Sequence, residues 1–183
     1  MKKVLIAYYS RKGQNWVNGE IQDLEVGNTQ AFAEILKSEV GKIKGIDGKK
    51  VSVTTFKIVP TTIYPASYND CTLVAKKELE ENAFPPLKAD KSILSYDTIF
   101  IGFPCWWSTM PRCIATFLKG KDFTGKTVIP FVTHEGSGLG TSMFDMKKYC
   151  KNANLKEGVA IKGSTVLTAT DKVKELIEKA LEE

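Results

Sequence analysis

Five short apolar runs recur along the chain at the spacing of strands that are separated by helices. They are rich in β-branched and aromatic residues and contain few polar positions, as in strands that are buried on both faces of a sheet. The runs are Val4–Tyr9, Val51–Phe56, Thr98–Phe103, Thr127–Val132 and Val159–Lys162. This pattern predicts a parallel sheet.

Apolar residues spaced three and four positions apart lie between the runs and predict a helix after each strand. The first helix carries the stripe Phe32, Ile35, Leu36, Val40 and Ile43, and the second carries Leu73, Val74 and Leu79. The third has Ile114, Phe117 and Leu118, and the last two are predicted over Met143–Cys150 and Asp171–Leu181. Alternating strands and helices predict an α/β fold, a three-layer doubly wound five-stranded parallel sheet with strand order 2-1-3-4-5. We expect one domain over residues 1–183.

In such a sheet the ligand binds outside the carboxyl ends of the strands, so the loops after strands 1, 3 and 4 are the candidate site. The first loop begins at Ser10 and, after the insertion Trp16–Val26, reaches a helix start at Gly27-Asn28-Thr29. Free backbone N–H groups at a helix start favour an anion, which predicts a phosphate site. The chain has neither G-x-G-x-x-G nor G-x-x-x-x-G-K-[ST], so we expect a ligand smaller than a dinucleotide or a nucleoside triphosphate. The insertion has few apolar residues and is predicted to lie on the surface.

The loops after strands 3 and 4 add aromatic and hydrogen-bonding groups. Trp106 and Trp107 stand between Pro104 and Pro111, a rigid wall that either faces a planar ligand or covers the edges of the helix and the sheet. The loop Thr133–Gly140 offers hydroxyls and glycines that allow close backbone approach. A phosphate site, an aromatic wall and polar ring contacts together indicate a mononucleotide.

Composition narrows the class of protein and its location. With 183 residues, 43% of them hydrophobic, the chain has the composition of an ordinary globular domain, and no apolar run approaches the ~20 residues that a membrane span needs. The net charge of +5 is carried by dispersed lysines rather than a basic stripe, which argues against nucleic acid as a partner. The four cysteines form no C-x-x-C pair, so we expect no metal site, no disulfide framework and a reducing cytoplasm.

On these loops the sequence resembles the flavodoxin-like family, and within it a branch whose phosphate loop is interrupted by a short insertion. The matching pieces span nearly the whole chain. They are Tyr9-Ser10-Arg11 with Gly27-Asn28-Thr29, Tyr64-Pro65 with Tyr68, Tyr96–Gly102, Pro104 with Trp106-Trp107 and Pro111, Phe117-Leu118, Phe123–Thr127, and Thr133 with Gly136-Ser137-Gly138.

The resemblance implies that the chain binds FMN, with three groups of residues around it. The phosphate would be surrounded by Ser10, Lys12, Asn15, Asn28 and Thr29, with Arg11 either attracting it or staying in solvent. The ribityl chain and the ring would be lined by Pro104, Cys105, Trp106 and Trp107. The pyrimidine side would meet Thr133, His134, Glu135, Gly136, Ser137 and Gly138. Either Gly13–Asn15 or Gly27–Thr29 can end the phosphate loop, and we favour the second because it begins the helix.

Three functions fit this implied cofactor site. The first is an FMN-binding redox protein that passes electrons to a partner protein or a small-molecule acceptor. The second is an NAD(P)H-dependent FMN oxidoreductase acting on quinones, nitro or azo compounds, and the third is a binding module that has lost the cofactor. His134 is either a proton donor or a loop residue whose backbone matters, and Cys105 is either redox-active or a small residue beneath the ring. We expect neither a membrane nor a nucleic acid partner, and a homodimer is left open.

Overall fold

A computed structural model describes residues 3–44 and 48–181, so the ends of the predicted 1–183 domain and residues 45–47 lie outside the described residues. The strands are β1 (Lys3–Tyr8), β2 (Gly13–Val17), β3 (Glu20–Leu24), β4 (Ser52–Lys57), β5 (Thr98–Pro104), β6 (Thr127–His134), β7 (Asn154–Leu155) and β8 (Val159–Lys162). The helices are α1 (Asn28–Val40), α2 (Tyr68–Glu80), α3 (Arg112–Leu118), α4 (Ser142–Tyr149) and α5 (Thr170–Leu181), with a 3₁₀ helix over Gly163–Thr168.

The central sheet has the predicted order. Parallel strands lie in the order β4-β1-β5-β6, and β6 pairs on its far side with the two short strands β7 and β8. Counted along the chain, these are strands 2-1-3-4-5, so the predicted fold is confirmed. The fifth strand differs from the prediction in one respect, because β7 adds a short segment before the predicted run at β8.

The five helices cover both faces of this sheet. One face packs against α1 and α5 through buried Phe32, Leu36 and Leu176. The other packs against α2, α3 and α4 through Cys71, Phe117 and Met146, among others. Burial on both sides explains why the strands read as continuous apolar runs.

The insertion after β1 is the main addition to the predicted elements. Strands β2 and β3 form a separate antiparallel hairpin with its turn at Asn18 and Gly19. Both turn residues have positive φ, 50° and 89°, as a two-residue type I′ turn requires. The Asn-Gly pair was the sequence signal for this hairpin. The insertion therefore lies on the surface as ordered strands rather than as an irregular loop.

None of the described helices is both long and apolar enough to cross a lipid bilayer.

The centre of the sheet contains a very close contact between Gly102 on β5 and Phe131 on β6, which are register partners. A Cβ atom built on Gly102 would lie 2.0 Å from Cζ of Phe131. The Phe131 ring packs in turn against Phe32 of α1, with ring centroids 5.4 Å apart. Glycine at position 102 therefore leaves room for the Phe131 ring, which packs against α1.

Gly102→Ala tests this contact. We expect it to lower the free energy of unfolding by about 2–3 kcal/mol, because overpacking a rigid core forces side chains and backbone to shift. Phe131→Leu removes the obstructing ring edge, so the double variant should lose less stability than the sum of the two single variants. Urea unfolding of all four proteins measures this coupling. Additive losses would show that the clash with Phe131 is not the cause.

Candidate functional site

A cavity of about 270 Å³ lies at the carboxyl ends of β1, β5 and β6, where the sequence predicts the ligand. Most predicted site residues line it: Ser10, Arg11, Asn15, Asn28, Thr29, Pro104, Cys105, Trp106, Thr133, His134, Glu135, Gly136 and Ser137. Three predicted residues, Lys12, Trp107 and Gly138, are not among its lining. Three residues outside the predicted set also line it, namely Trp16, Tyr68 and Gly163.

One end of the cavity is the N-terminus of α1. The Ser10 hydroxyl accepts a hydrogen bond from the Gln30 N–H at 3.0 Å and so caps the helix from the preceding strand. Within the described part of the chain, the N–H groups of Asn28 and Thr29 have no protein acceptor. Unpaired N–H groups at the positive end of a 13-residue helix bind anions. The favoured phosphate loop, Gly27–Thr29, therefore has donors available for an anion.

Gly27 allows this arrangement by its lack of a side chain. A Cβ atom there would lie 2.3 Å from the Arg11 carbonyl oxygen and 2.4 Å from Oγ of Ser10. The two halves of the interrupted loop thus approach each other through backbone alone. The hydroxyls of Thr29 and Thr133, both buried, are 2.7 Å apart and join the helix start to the loop after β6.

Arg11 has a role that the sequence did not reveal. Its Nη1 donates to the carbonyl oxygen of Gln14. Its Nη2 donates to the carbonyl oxygens of Pro65 at 2.6 Å, Ala66 at 2.5 Å and Ser67 at 3.3 Å. The guanidinium therefore holds segment 65–67 against the loop after β1 instead of offering its Nη donors to a phosphate. Lys12 is exposed.

The β2–β3 hairpin is joined to two other segments at the rim of the cavity. The Gln14 side-chain oxygen accepts from the Tyr68 N–H at 3.0 Å, at the start of α2. The rings of Trp16 and Tyr68 lie 6.0 Å apart between centroids, with a 30° tilt. At its turn, the Asn18 N–H donates to the Glu135 carboxylate at 3.2 Å.

Glu135 connects the hairpin to the 3₁₀ helix after β8. Its second oxygen accepts from the Ser164 N–H at 2.7 Å. Gly163 lies directly beside it, where a Cβ atom would be 2.3 Å from the side-chain nitrogen of Asn28. Asn28 and Glu135 therefore leave no room for a side chain at residue 163, and the backbone of Gly163 forms part of the cavity wall.

The two adjacent tryptophans have different environments. Trp106 is partly buried and packs edge-on against Tyr9 and Tyr64, at centroid distances of 5.4 and 5.0 Å. Trp107 is 48% exposed, has φ +49°, and its Nε1 donates to the Thr72 carbonyl oxygen at 3.0 Å. Only Trp106 lines the cavity. The two tryptophans therefore do not form the single aromatic wall that the sequence predicts.

A second cavity of about 390 Å³ adjoins the first on the side of α2. The two share Arg11, Asn15, Tyr68, Cys105 and Trp106 as wall residues. The second cavity adds Cys71, Thr72, Ala75 and Trp107. Trp107 therefore faces a neighbouring compartment.

The two candidate reactive side chains, His134 and Cys105, are both held in neutral forms. Nδ1 of His134 accepts from the Gly136 N–H at 2.9 Å, and burial lowers the histidine pKa below 6.5, an effect that Glu135 partly opposes. Burial also raises the pKa of the Cys105 thiol, with a hydrogen bond to Ser137 opposing it. Both side chains are therefore uncharged at neutral pH, so Cys105 offers no thiolate and His134 no imidazolium. Across residues 3–44 and 48–181, no cluster of three or more histidine, cysteine or acidic side chains could hold a metal ion.

Comparison with known proteins finds a matching flavodoxin profile and similar flavoprotein structures. A sequence profile described as flavodoxin matches residues 50–180. No curated protein matches the sequence at a significant level. Similar solved structures include candidate flavoproteins from Bacteroides eggerthii DSM 20697 and Bacteroides uniformis ATCC 8492. The first is 29% identical with a TM-score of 0.67, and the match covers 95% of this chain and 99% of that protein. The second is also 29% identical, with a TM-score of 0.64, and the match covers 93% of this chain and 98% of that protein. A flavoprotein from Lactobacillus acidophilus NCFM, solved in complex with FMN, is 24% identical with a TM-score of 0.62, covering 93% of this chain and 99% of its own.

Gly27→Ala tests the close approach at the start of α1. We expect a loss of about 2–3 kcal/mol in the free energy of unfolding, because the new Cβ would meet backbone atoms that cannot move aside. Gly41→Ala is the control at the other end of the same helix, where φ is −66° and the nearest atom to a new Cβ, the Lys37 carbonyl oxygen, lies 3.2 Å away, so its effect should be clearly smaller than that of Gly27→Ala. Equal effects in thermal or urea unfolding would contradict the account of Gly27.

The protonation of His134 provides a separate test, because it is the only histidine in the chain. Titration by proton NMR should give a pKa below 6.5, since burial and the Gly136 N–H both favour the neutral ring. Because the unfolded state then binds more protons, this group contributes stability that is present above about pH 6.5 and is lost as the pH falls. Glu135→Gln removes a negative neighbour and should lower the pKa further. A wild-type value above 6.5 would refute this assignment.

Proposed function

The chain belongs to the flavodoxin family, and we propose that it transfers electrons through a non-covalently bound FMN. The observation that carries this proposal is the pair of unpaired N–H groups at Asn28 and Thr29, which open α1 at one end of a cavity whose other walls are aromatic and polar. Burial raises the pKa of the Cys105 thiol, so it offers no thiolate nucleophile at neutral pH, which favours chemistry supplied by a cofactor.

The residues present fit FMN in their donor chemistry. Backbone N–H groups of Asn28 and Thr29 would hold the phosphate, and Ser10 would position them through its cap on Gln30. Pro104, Cys105 and Trp106 would line the ribityl chain and the ring. The segment Thr133–Ser137 would meet the polar ring edge. FMN bound there supplies one- and two-electron redox chemistry.

The surrounding side chains would keep this site in one shape. Trp106 is fixed by two edge-on aromatic contacts with Tyr9 and Tyr64, so it presents a constant wall. The Thr29–Thr133 hydrogen bond sets the distance between the phosphate end and the ring end. A preformed site binds its ligand without the entropic cost of ordering loops.

An NAD(P)H-dependent FMN oxidoreductase acting on quinones, nitro or azo compounds is the second candidate. The adjoining cavity of about 390 Å³ favours it, because it gives room beside the proposed flavin for another small molecule. In either case we propose a redox partner protein or a small-molecule acceptor as the partner, and the cytoplasm as the location. The four cysteines are free, as expected in a reducing compartment.

Asn28→Pro tests the phosphate end directly. Proline is well tolerated at the first position of a helix, and the preceding Gly27, at φ −67° and ψ 146°, has the extended backbone that proline prefers before it. The variant therefore loses one N–H donor while keeping the helix. We expect FMN affinity to fall about tenfold or more, as for the loss of a hydrogen bond to a charged group.

Riboflavin, which lacks the phosphate, and Asn28→Ala, which keeps the N–H, are the controls. Quenching of flavin fluorescence should show unchanged riboflavin affinity in Asn28→Pro and smaller FMN losses in Asn28→Ala. An equal loss for FMN and riboflavin would place the phosphate elsewhere. Colourless protein that does not quench FMN at all would favour a module without cofactor.

Turnover separates the two candidate functions. Oxidation of NADH or NADPH with a quinone acceptor and no added reductase would favour the oxidoreductase. Electron transfer only when a separate reductase is supplied would favour the carrier.

A further inference from the structure

We propose that an acidic redox protein docks on the exposed side of α4, next to the loop that is assigned to the flavin ring. This inference rests on the proposed FMN function and names the chemistry of the protein that exchanges electrons with it. The surface, which we call the basic face, consists of Phe144, Lys147 and Lys148 on α4 and of Lys119 at the end of α3.

The basic face includes the outer side of a short helix with two different sides. Phe144, Lys147 and Lys148 are spaced three and four positions apart, so they lie on one side of α4, and all three are exposed. The opposite side is held in the core by Ser142 and Met146, which are fully buried. Phe144 is 74% exposed. The helix therefore presents an aromatic ring and two cations together to the solvent.

A chain of aromatic contacts places Lys119 on the same side of the molecule. Nζ of Lys119 lies 3.9 Å from the centroid of the Phe84 ring, which packs edge-on against Tyr149 at 6.3 Å between centroids. Nζ of Lys148 lies 5.4 Å from the centroid of the Tyr149 ring. Buried Arg112 adds a further cation 4.7 Å from the Phe84 ring. Cation–π attraction thus gathers positive charge around two half-buried rings.

The positive charge of the basic face is not neutralised by carboxylates of the protein itself. Within the described part of the chain, none of its three lysines forms an ion pair, although other helical lysines do, such as Lys76 with Glu80. The acidic residue of α4, Asp145, accepts a hydrogen bond from the Thr109 hydroxyl instead. The helix dipole favours lysines at the end of α4, but it does not account for the exposed aromatic ring in the first turn. An acidic partner would supply the missing carboxylates.

The basic face is continuous with the proposed flavin site. Helix α4 comes directly after the loop Thr133–Gly140, and the Thr141 N–H donates to the Ser108 carbonyl oxygen at 2.6 Å. This hydrogen bond joins the start of α4 to the turn that follows Trp106. A protein that docks over Phe144 would therefore lie beside the loops that are assigned to the flavin ring.

A protein fits this surface better than an anionic membrane does. A helix that lies on a membrane buries its apolar side among the lipids, but the apolar side of α4 already packs in the core through Met146. Protein interfaces combine a central aromatic anchor with a polar rim. Phe144 would be the anchor, and the three lysines would form the rim. Charges in a rim mainly raise the rate at which an oppositely charged partner associates.

A plant-type [2Fe–2S] ferredoxin, which is an acidic protein and a strong reductant, is the probe for the test. One electron passes from its reduced cluster to the oxidised flavin of the FMN-loaded protein, so the cluster is oxidised and the flavin is reduced. Stopped-flow absorbance at several protein concentrations gives the second-order rate constant. We expect this rate constant to fall steeply as the ionic strength rises, because salt screens the attraction between the two proteins.

Lys147→Glu/Lys148→Glu reverses two charges of the basic face. We expect the rate constant to fall about tenfold or more at low salt, and to approach the wild-type value at about 1 M salt, where the Debye length is only about 3 Å. Lys37→Glu/Lys174→Glu is the matched control. It makes the same change in net charge at exposed positions of α1 and α5, which cover the other face of the sheet. The control should change the rate constant by less than about threefold.

Phe144→Ala is the second variant, because it removes the proposed anchor and should leave urea unfolding unchanged at so exposed a position. Calorimetric titration with oxidised ferredoxin at low salt measures docking without electron transfer. We expect the affinity to weaken about fivefold or more, because the ring is no longer shielded from water by the partner. Leu94→Ala is the control, since Leu94 is 76% exposed and lies before β5, at the other end of the sheet.

FMN affinity should stay within about twofold of the wild-type value in all four variants, because none of the changed residues lines the cavity. A rate constant that does not depend on salt, or equal losses in the two double variants, would overturn the proposal. Equally fast reduction of cytochrome c, a basic protein, by the reduced FMN-loaded protein at low salt would overturn it as well. So would binding to phosphatidylserine vesicles through Phe144 and the lysines with no effect on ferredoxin. A protein that binds no FMN would instead overturn the proposed function, and the redox role of the partner with it.

Discussion

The guanidinium of Arg11 holds together parts of the molecule that the central sheet does not join. It lies just after β1 and donates to backbone carbonyl oxygens of Gln14 and of segment 65–67. These hydrogen bonds set the position of the β2–β3 hairpin and of the start of α2, which form the rims of both cavities. Hydrogen bonds from a charged donor are among the stronger ones in proteins. Since this cation is used structurally, the phosphate binding that we propose at the start of α1 depends on backbone dipoles.

A site of neutral donors has consequences for selectivity. The N–H groups at the start of α1 are aligned by the helix and cannot follow a displaced ligand as a lysine could. The same holds at the other end, where His134 is neutral and its Nδ1 is occupied by the Gly136 N–H. Recognition in this cavity therefore depends on geometry, which the Gly27 and Gly163 contacts maintain, more than on total charge.

The sequence predicted the elements that are buried on both faces, and it missed the contacts between distant residues and the exposed hairpin. Strands β1, β5 and β6 could be predicted because both of their faces are buried, which gives continuous apolar runs. A parallel sheet of these strands places the three loops that follow them at one edge, where the candidate site lies. The structural contacts of Arg11 were not predicted, because its acceptors Pro65 and Ala66 lie more than fifty residues away. Trp107 was grouped with Trp106 because the conformation that separates them is set by Thr72 and Thr141. The hairpin was overlooked even though Asn18-Gly19 is a strong turn signal, since its strands carry few apolar residues.

The hairpin also depends on contacts that are distant in sequence. Its own strands are adjacent in sequence, but its anchoring groups, the Tyr68 N–H and the Glu135 carboxylate, are 54 and 117 residues from their partners. Contacts of such high sequence separation close long loops, and the entropy lost on closing them must be offset by the folded structure as a whole. The rim of the cavity therefore keeps its shape only while the central sheet holds these distant segments side by side.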